Sequence, residues 1–182
     1  YPSWHPGGGV GAFSVNKLAL FHHTRGETRD VFDAASDLAL YRVDDNLLVA
    51  AAAIARPDSL ENWPSWSPDG RWLYFSRAPA LPIEQFAEVR YDLMRAAYDP
   101  VTGSLGPVET VLPATTAGKS INQPKVSPDG RFVVVTMSDY GNFPVYRREA
   151  DLYVVDLTTG EWRPLESNSE ECDSWHSWSA NG

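Results

Sequence analysis

The run Glu170-Glu171-Cys172-Asp173-Ser174-Trp175-His176 is the most chemically loaded stretch of the chain. Carboxylates beside a thiol and an imidazole are the donor types that hold transition metals. The spacing argues against it, because adjacent candidate ligands on a loop do not match a paired Cys-x-x-Cys zinc pattern. The run reads instead as a solvated acidic loop around one small buried Cys. His22 and His23 would join His5 and His176 only if the fold brought them together, and neighbours on a strand face opposite ways, so at most one of the pair would take part. No metal and no cofactor is implied. Gly118-Lys119-Ser120 mimics the end of a phosphate-binding loop, but Pro113 stands where that loop needs its first glycine. No Gly-x-Ser-x-Gly nucleophile elbow is present. No set of catalytic residues emerges, and a non-enzymatic role is favoured.

Recognition chemistry is better represented. The stretch Asp139–Arg148 interleaves rings, an amide and guanidinium groups through Tyr140, Asn142, Tyr146 and Arg147. Such a loop suits contact with a peptide or a glycan. It would equally serve as a self-packed cover. Asn62-Trp63, Asn122-Gln123 and Ser174-Trp175 stand at matching places in a recurring motif, with Tyr1 at the same place in the first copy. Rings supply apolar area and amides supply directed hydrogen bonds. Asp173 and His176 flank the last pair. For Trp63 and Trp175 packing and ligand contact are both open, whereas Trp66 and Trp178 read as packing.

These residues are positioned by a repeat. Trp63-Pro64-Ser65-Trp66-Ser67-Pro68-Asp69-Gly70-Arg71-Trp72-Leu73-Tyr74-Phe75-Ser76 reads as strand, tight turn, strand. Ser and Pro suit the first positions of a type I turn and Gly the last. The unit recurs at Gln123–Val135, with weaker copies at Tyr1–Gly8 and Trp175–Gly182. A second landmark follows in each unit, at Asp37–Tyr41, Asp92–Arg95 and Asp151–Val155, then a polar turn and a last short strand. Each unit is therefore four antiparallel strands in up-and-down order. A single such sheet has two apolar faces and buries neither alone, so tandem copies stack radially as the blades of a β-propeller. The expected fold is all-β, three four-stranded blades plus the first strand of a fourth, in units of about 1–56, 57–113, 114–166 and 167–182. The ends are in phase, so the sequence is expected to be a piece of a longer chain, the alternative being copies that associate to close a ring. The repeat register overrides helix propensity over Ile83–Ala97 and Leu47–Ala55, leaving room for a short helix at 82–88.

Alternation also sorts the connections. The tight turns at Ser67–Gly70, Ser127–Gly130, Asp99–Gly103 and Asp156–Gly160 share one face. Long loops at His22–Ser36, Arg77–Arg90, Ser138–Ala150, Pro57–Asn62, Ala114–Asn122 and Glu166–Ser174 share the other. Long loops on a rigid scaffold carry binding residues, and strand one lines the central channel, so the expected site is the channel mouth on the long-loop face. The net charge of −9 and the lack of a basic stripe exclude nucleic acid and anionic membrane surfaces as partners. No apolar run reaches the length of a membrane span. One cysteine forms no intrachain disulfide.

The sequence Trp66-Ser67-Pro68-Asp69-Gly70-Arg71 before an apolar strand, with Asp151-Leu152-Tyr153-Val154-Val155-Asp156-Leu157-Thr158-Thr159-Gly160, resembles the TolB-type, WD-repeat-like propeller repeat. The resemblance spans essentially the whole chain in four registers. Ala180-Asn181 replaces the usual Pro-Asp in the last. It implies a periplasmic or otherwise extracytoplasmic bacterial protein that binds a protein or peptide partner. Members of the family also serve as propeller domains attached to peptidases, and a few propellers are enzymes. A gating domain of a larger enzyme, or a carbohydrate binder or lyase at the channel mouth, therefore stays open.

Overall fold

A computed structural model describes residues 1–22, 29–49 and 51–179. The sequence features at His23 and at Ala180-Asn181-Gly182 lie outside the described residues. Blade one consists of β1 (Ser3–Trp4), β2 (Val10–His22), β3 (Arg29–Arg42) and β4 (Leu47–Val49). Blade two consists of β5 (Ser59–Trp66), β6 (Trp72–Pro79), β7 (Asp92–Asp99) and β8 (Ser104–Leu112). Blade three consists of β9 (Ser120–Val126), β10 (Phe132–Ser138), β11 (Asp151–Asp156) and β12 (Trp162–Pro164). In each sheet the strands lie in chain order and pair antiparallel, so β1, β5 and β9 are edge strands.

The turns hold because side chains satisfy their backbone. In the β5–β6 turn Asp69 Oδ1 accepts from the Ser67 hydroxyl at 2.6 Å and from the Arg71 amide at 3.0 Å. The Gly70 amide bonds to the Ser67 carbonyl at 2.9 Å, with Gly70 at φ 71°, where a side chain is strained. Ser127, Asp129 and Gly130 repeat the arrangement. Asp99 and Asp156 do the same work after strand three, each accepting from a backbone amide of its turn at 2.8 Å.

The core lies between blades. Leu73 and Phe75 of β6, with Trp66 of β5 in the same blade, face blade one and cluster with Leu38, Leu40 and Ile54. Tyr74, on the other face of the same strand, packs in the cluster with Ile121, Val133 and Val135. A strand buried on both faces loses its polar alternation. The run Ile83–Ala97 divides as the register demands, into a 3-10 helix at Ile83–Glu88 and β7.

One expectation is corrected. Most of His22–Ser36 is strand, not loop. β2 and β3 continue past the blade as a hairpin arm, paired from Asn16↔Ser36 to His22↔Arg29 with a bulge at Lys17/Leu18. The repeat register places the segment between strands two and three as a connection, and it carries three acids. Two of them, Asp30 and Asp33, are buried, so their polarity belongs to the interior rather than to a solvated connection. Residues 174–179 follow blade three without pairing into a sheet, and Trp175 repeats the positive φ of the strand-one positions in blades two and three.

Candidate binding site at the channel mouth

The matching strand-one positions converge. The Tyr1 ring stacks on Trp63 at 3.7 Å between centroids, Trp175 meets Trp63 edge-on at 5.5 Å, and Tyr1 and Trp175 lie 5.3 Å apart. Trp63 is 5% exposed, but Tyr1 keeps 40% and Trp175 56% of their surface. Packing therefore accounts for Trp63, while Trp175 offers a free aromatic face. Trp66 lies in the core between blades one and two. Trp178 donates its Nε1–H to the Lys125 carbonyl at 2.8 Å.

A bulge makes this convergence. Trp63, Gln123 and Trp175 have φ of 55°, 55° and 59°, a left-handed conformation uncommon outside glycine. Strand pairing breaks at the first two, between Asn62 and Ser65 on β5 and between Val134 and Thr136 on the partner of β9. Pro64 and Pro124 fit there, because a bulged edge strand asks for no N–H.

Behind the rings lies a buried polar cluster centred on Asp33 of the arm. Asp33 Oδ1 accepts from Asn16 Nδ2 at 2.8 Å, and Oδ2 accepts from Asn62 Nδ2, from Asn142 Nδ2 at 2.5 Å and from the Tyr91 hydroxyl at 3.1 Å. Burial pushes the Asp33 carboxyl up to about 6 from an ordinary 3.8, although bonds from Asn16, Tyr91 and Asn62 pull it down. Nearby, Arg147 pairs with Asp30, and its guanidinium lies 3.6 Å from the Tyr140 ring centroid. The Tyr140 hydroxyl donates to Asp30 at 3.2 Å. Phe32 of the arm stacks on Phe86 of the 3-10 helix, and Phe21 stacks on Phe32 and meets Phe86 at a tilt.

Of the residues singled out in the sequence, Asn62, Trp63, Tyr140, Asn142 and Arg147 meet around the arm. Trp63 Nε1 donates to the Asn142 carbonyl at 3.0 Å. Asn122 is buried beside them, its Nδ2 on the Gly141 carbonyl at 3.0 Å. Gln123 Oε1 accepts from the Thr136 hydroxyl at 2.9 Å and the Trp175 amide at 3.2 Å. Tyr146 lies under Arg29 of the arm. Asp173 does not join. Its amide bonds to the Ala150 carbonyl, and its carboxylate caps its own loop at the Ser169 amide. His176 turns away, its Nε2 2.9 Å from the Val134 carbonyl, and burial lowers it to about 4 from 6.5.

Among the described residues the histidines do not gather. His5 sits at the opposite face, with Nε2 3.1 Å from the Gly70 carbonyl. Among the described residues no three His, Cys, Asp or Glu side chains form a metal-holding group. Sequence reasoning missed Asp33, Asp30, Asn16 and Tyr91. The trace left in the sequence is Phe32 set between two acids just ahead of the strand-three landmark.

Three antiparallel four-stranded blades, with strand one of each at one edge and matching positions converging, define a β-propeller. Comparison with solved structures agrees. The chain is similar to a protein assigned as TolB from Agrobacterium tumefaciens, with TM-score 0.54 and 18% identity over 90% of this chain and 48% of that one. It is also similar to a Mycobacterium tuberculosis puromycin-hydrolyzing peptidase, with TM-score 0.50 and 14% identity over 80% of this chain and 23% of that one. TolB from Acinetobacter baumannii matches with TM-score 0.46 and 14% identity over 90% and 42%. The chain thus spans about half the length of the TolB structures, and at these identities the likeness shows the fold. No protein-family model and no curated protein matches the chain. Among the described residues no helix is long and apolar enough to cross a membrane.

Proposed function

We propose that the chain is a non-enzymatic propeller module that binds an extended segment of a protein or peptide partner at its channel mouth. The observation that carries this reading is the pair of half-exposed rings Tyr1 and Trp175, seated on the buried Trp63 and backed by buried amides. Rigid rings beside fixed hydrogen-bonding groups supply both area and direction to a ligand. The extracytoplasmic, bacterial setting rests on the resemblance of the repeat to the TolB type.

The blade units 1–56, 57–113, 114–166 and 167–182 belong to the same reading. Blade three presents a concavity of about 1000 Å³ lined by Val134, Leu152, Val154, Trp162 and Trp178, and blade one leaves Trp4, Leu47 and Leu48 exposed. In a closed propeller such faces are covered by neighbouring blades. We assign them to further blades of a longer chain rather than to ligand.

A displayed library of random linear peptides, selected on the immobilised protein, tests the site. Selected peptides should bind in solution and lose affinity on Trp175→Ser, with no change on Val101→Ser in the opposite turns. Absence of any selected binder, or binders indifferent to Trp175→Ser, would overturn the reading. A glycan array run in parallel tells a carbohydrate ligand from a peptide.

A further inference from the structure

The arm is gripped on both faces by groups that donate hydrogen bonds to carboxylates. On one face Asp30 receives Arg147 and the Tyr140 hydroxyl, and Phe32, two residues on, stacks with Phe86. On the other face Asp33 receives Asn62, Asn142 and Tyr91. Asn16, on the arm's own first strand, also donates to Asp33 at 2.8 Å, but the other donors named here come from blade two and from the loop before β11. A strap that had only to pack would bury apolar residues at these positions, because a buried acid costs free energy unless its partners are built for it. Here the partners are convergent donors. The acid–apolar–acid order Asp30-Val31-Phe32-Asp33 reads as a ligand sequence carried by the chain itself.

We propose that the channel mouth holds a carboxylate-binding groove, formed by Asn62, Tyr91, Tyr140, Asn142 and Arg147, which the arm fills with Asp30 and Asp33, and which an extended acidic peptide of a partner takes when the arm withdraws. The proposal rests on the channel-mouth reading above and names its ligand class. An arm that competes from within the same molecule holds the groove at high effective concentration. The resting protein is therefore a weak binder, and displacing the arm is part of binding.

The test separates the arm from its groove. Residues 18–34 are replaced by Asn-Gly, so that Lys17 and Ala35, already paired, close on a two-residue hairpin turn. A synthetic peptide of residues 29–36 is then titrated in by calorimetry. It should bind this variant, and bind the intact chain roughly tenfold or more weakly. A peptide carrying Asp30→Asn should bind the variant roughly tenfold or more weakly than the parent, the effect of losing a charge-assisted hydrogen bond. One carrying Asp33→Asn should also bind more weakly, because an amide nitrogen cannot accept bonds from the donors that surround the Asp33 carboxyl. Equal binding by a peptide with both changes, or no binding of the parent peptide to the folded variant, overturns the proposal. If library-selected peptides still bind the variant while the arm peptide does not, the groove assignment falls and the binding face stands. If neither binds, both fall. Should the variant fail to fold, the full-length Asp30→Asn/Asp33→Asn double variant decides. Amides of Leu18–His22 should then exchange with solvent faster than those of β6 and the parent peptide should bind, whereas unchanged arm exchange refutes the proposal.

Discussion

Replacing Asp33 with Asn isolates one buried carboxyl against a defined background. Its value of about 6 in the folded chain lies above the ordinary 3.8, so the native state holds the proton more tightly than the unfolded chain does. The contribution to stability is therefore full below about pH 4 and lost as pH rises through 6. A shift of about two units corresponds to ~3 kcal/mol, a sizeable part of the ~5–15 kcal/mol that keeps a domain folded. Asp69, Asp99, Asp129 and Asp156 at the tight turns, held low chiefly through bonds to their own turns or to a nearby Arg, act in the opposite direction in acid. They are common to both proteins and cancel on subtraction. Urea unfolding followed by tryptophan fluorescence, from pH 4 to 7.5, gives the two stability curves. The wild-type value minus the Asp33→Asn value should fall by ~2 kcal/mol across that range, most of the full shift. A flat difference, or one that rises with pH, refutes the assignment. So does a carbon-13 titration of the Asp33 carboxyl with its midpoint near 4.

His176 should show the reverse sign. Lowered to about 4 from 6.5 by burial, it contributes stability above pH 6.5 that is lost as pH falls through 4, so His176→Gln should flatten the acid side of the same urea curves. The turn glycines should separate in thermal unfolding. Gly130→Ala meets only the strain of φ 74° in open space, ~1–2 kcal/mol. Gly70→Ala should cost more, because its new Cβ would collide with the His5 ring that bonds to the Gly70 carbonyl. Phe75→Ala empties the core between blades one and two and should lower stability by ~3–5 kcal/mol in urea. Loss within the error of the measurement would place the core elsewhere.

The repeat was legible because its signals are local. Ser-Pro-Asp-Gly carries its own turn chemistry, and Ser67, Asp69, Ser127 and Asp129 make the bonds that the motif implies. The helix-like run at Ile83–Ala97 was resolved by register, since β7 must pair with both β6 and β8. The arm was not legible. Nothing local distinguishes a polar loop from a paired strand whose acids are buried by distant parts of the chain. Asp33 finds Asn62 29 residues away, Tyr91 58 away and Asn142 109 away. Such a cluster exists only once the blades are stacked. Asn62 and Asn142 were visible as candidates because they lie beside repeat landmarks or in a loop rich in rings. The acid they bind lies in a segment that the repeat register assigns to the connection between strands two and three.

The strand-one bulge joins these two kinds of information. In a regular strand Asn62 and Trp63 would point to opposite faces. Here both reach the same cluster, Asn62 through Asp33 and Trp63 through the backbone carbonyl of Asn142, whose side-chain Nδ2 donates to Asp33. In blade three Asn122 holds the Gly141 carbonyl of that same loop, while Gln123 reaches across to the Trp175 amide. Each left-handed non-glycine residue costs ~1–2 kcal/mol, and glycine at these positions would remove that cost. Glycine would also remove the side chains that bind the long loop and form the aromatic cluster. Strain retained at matching positions of successive blades, where a strain-free residue would serve the fold alone, is what a site built into a repeat requires. The same bulge that lets β5 and β9 carry Pro64 and Pro124 thus turns adjacent side chains of the inner edge toward one cluster, the geometry on which the proposed recognition surface rests.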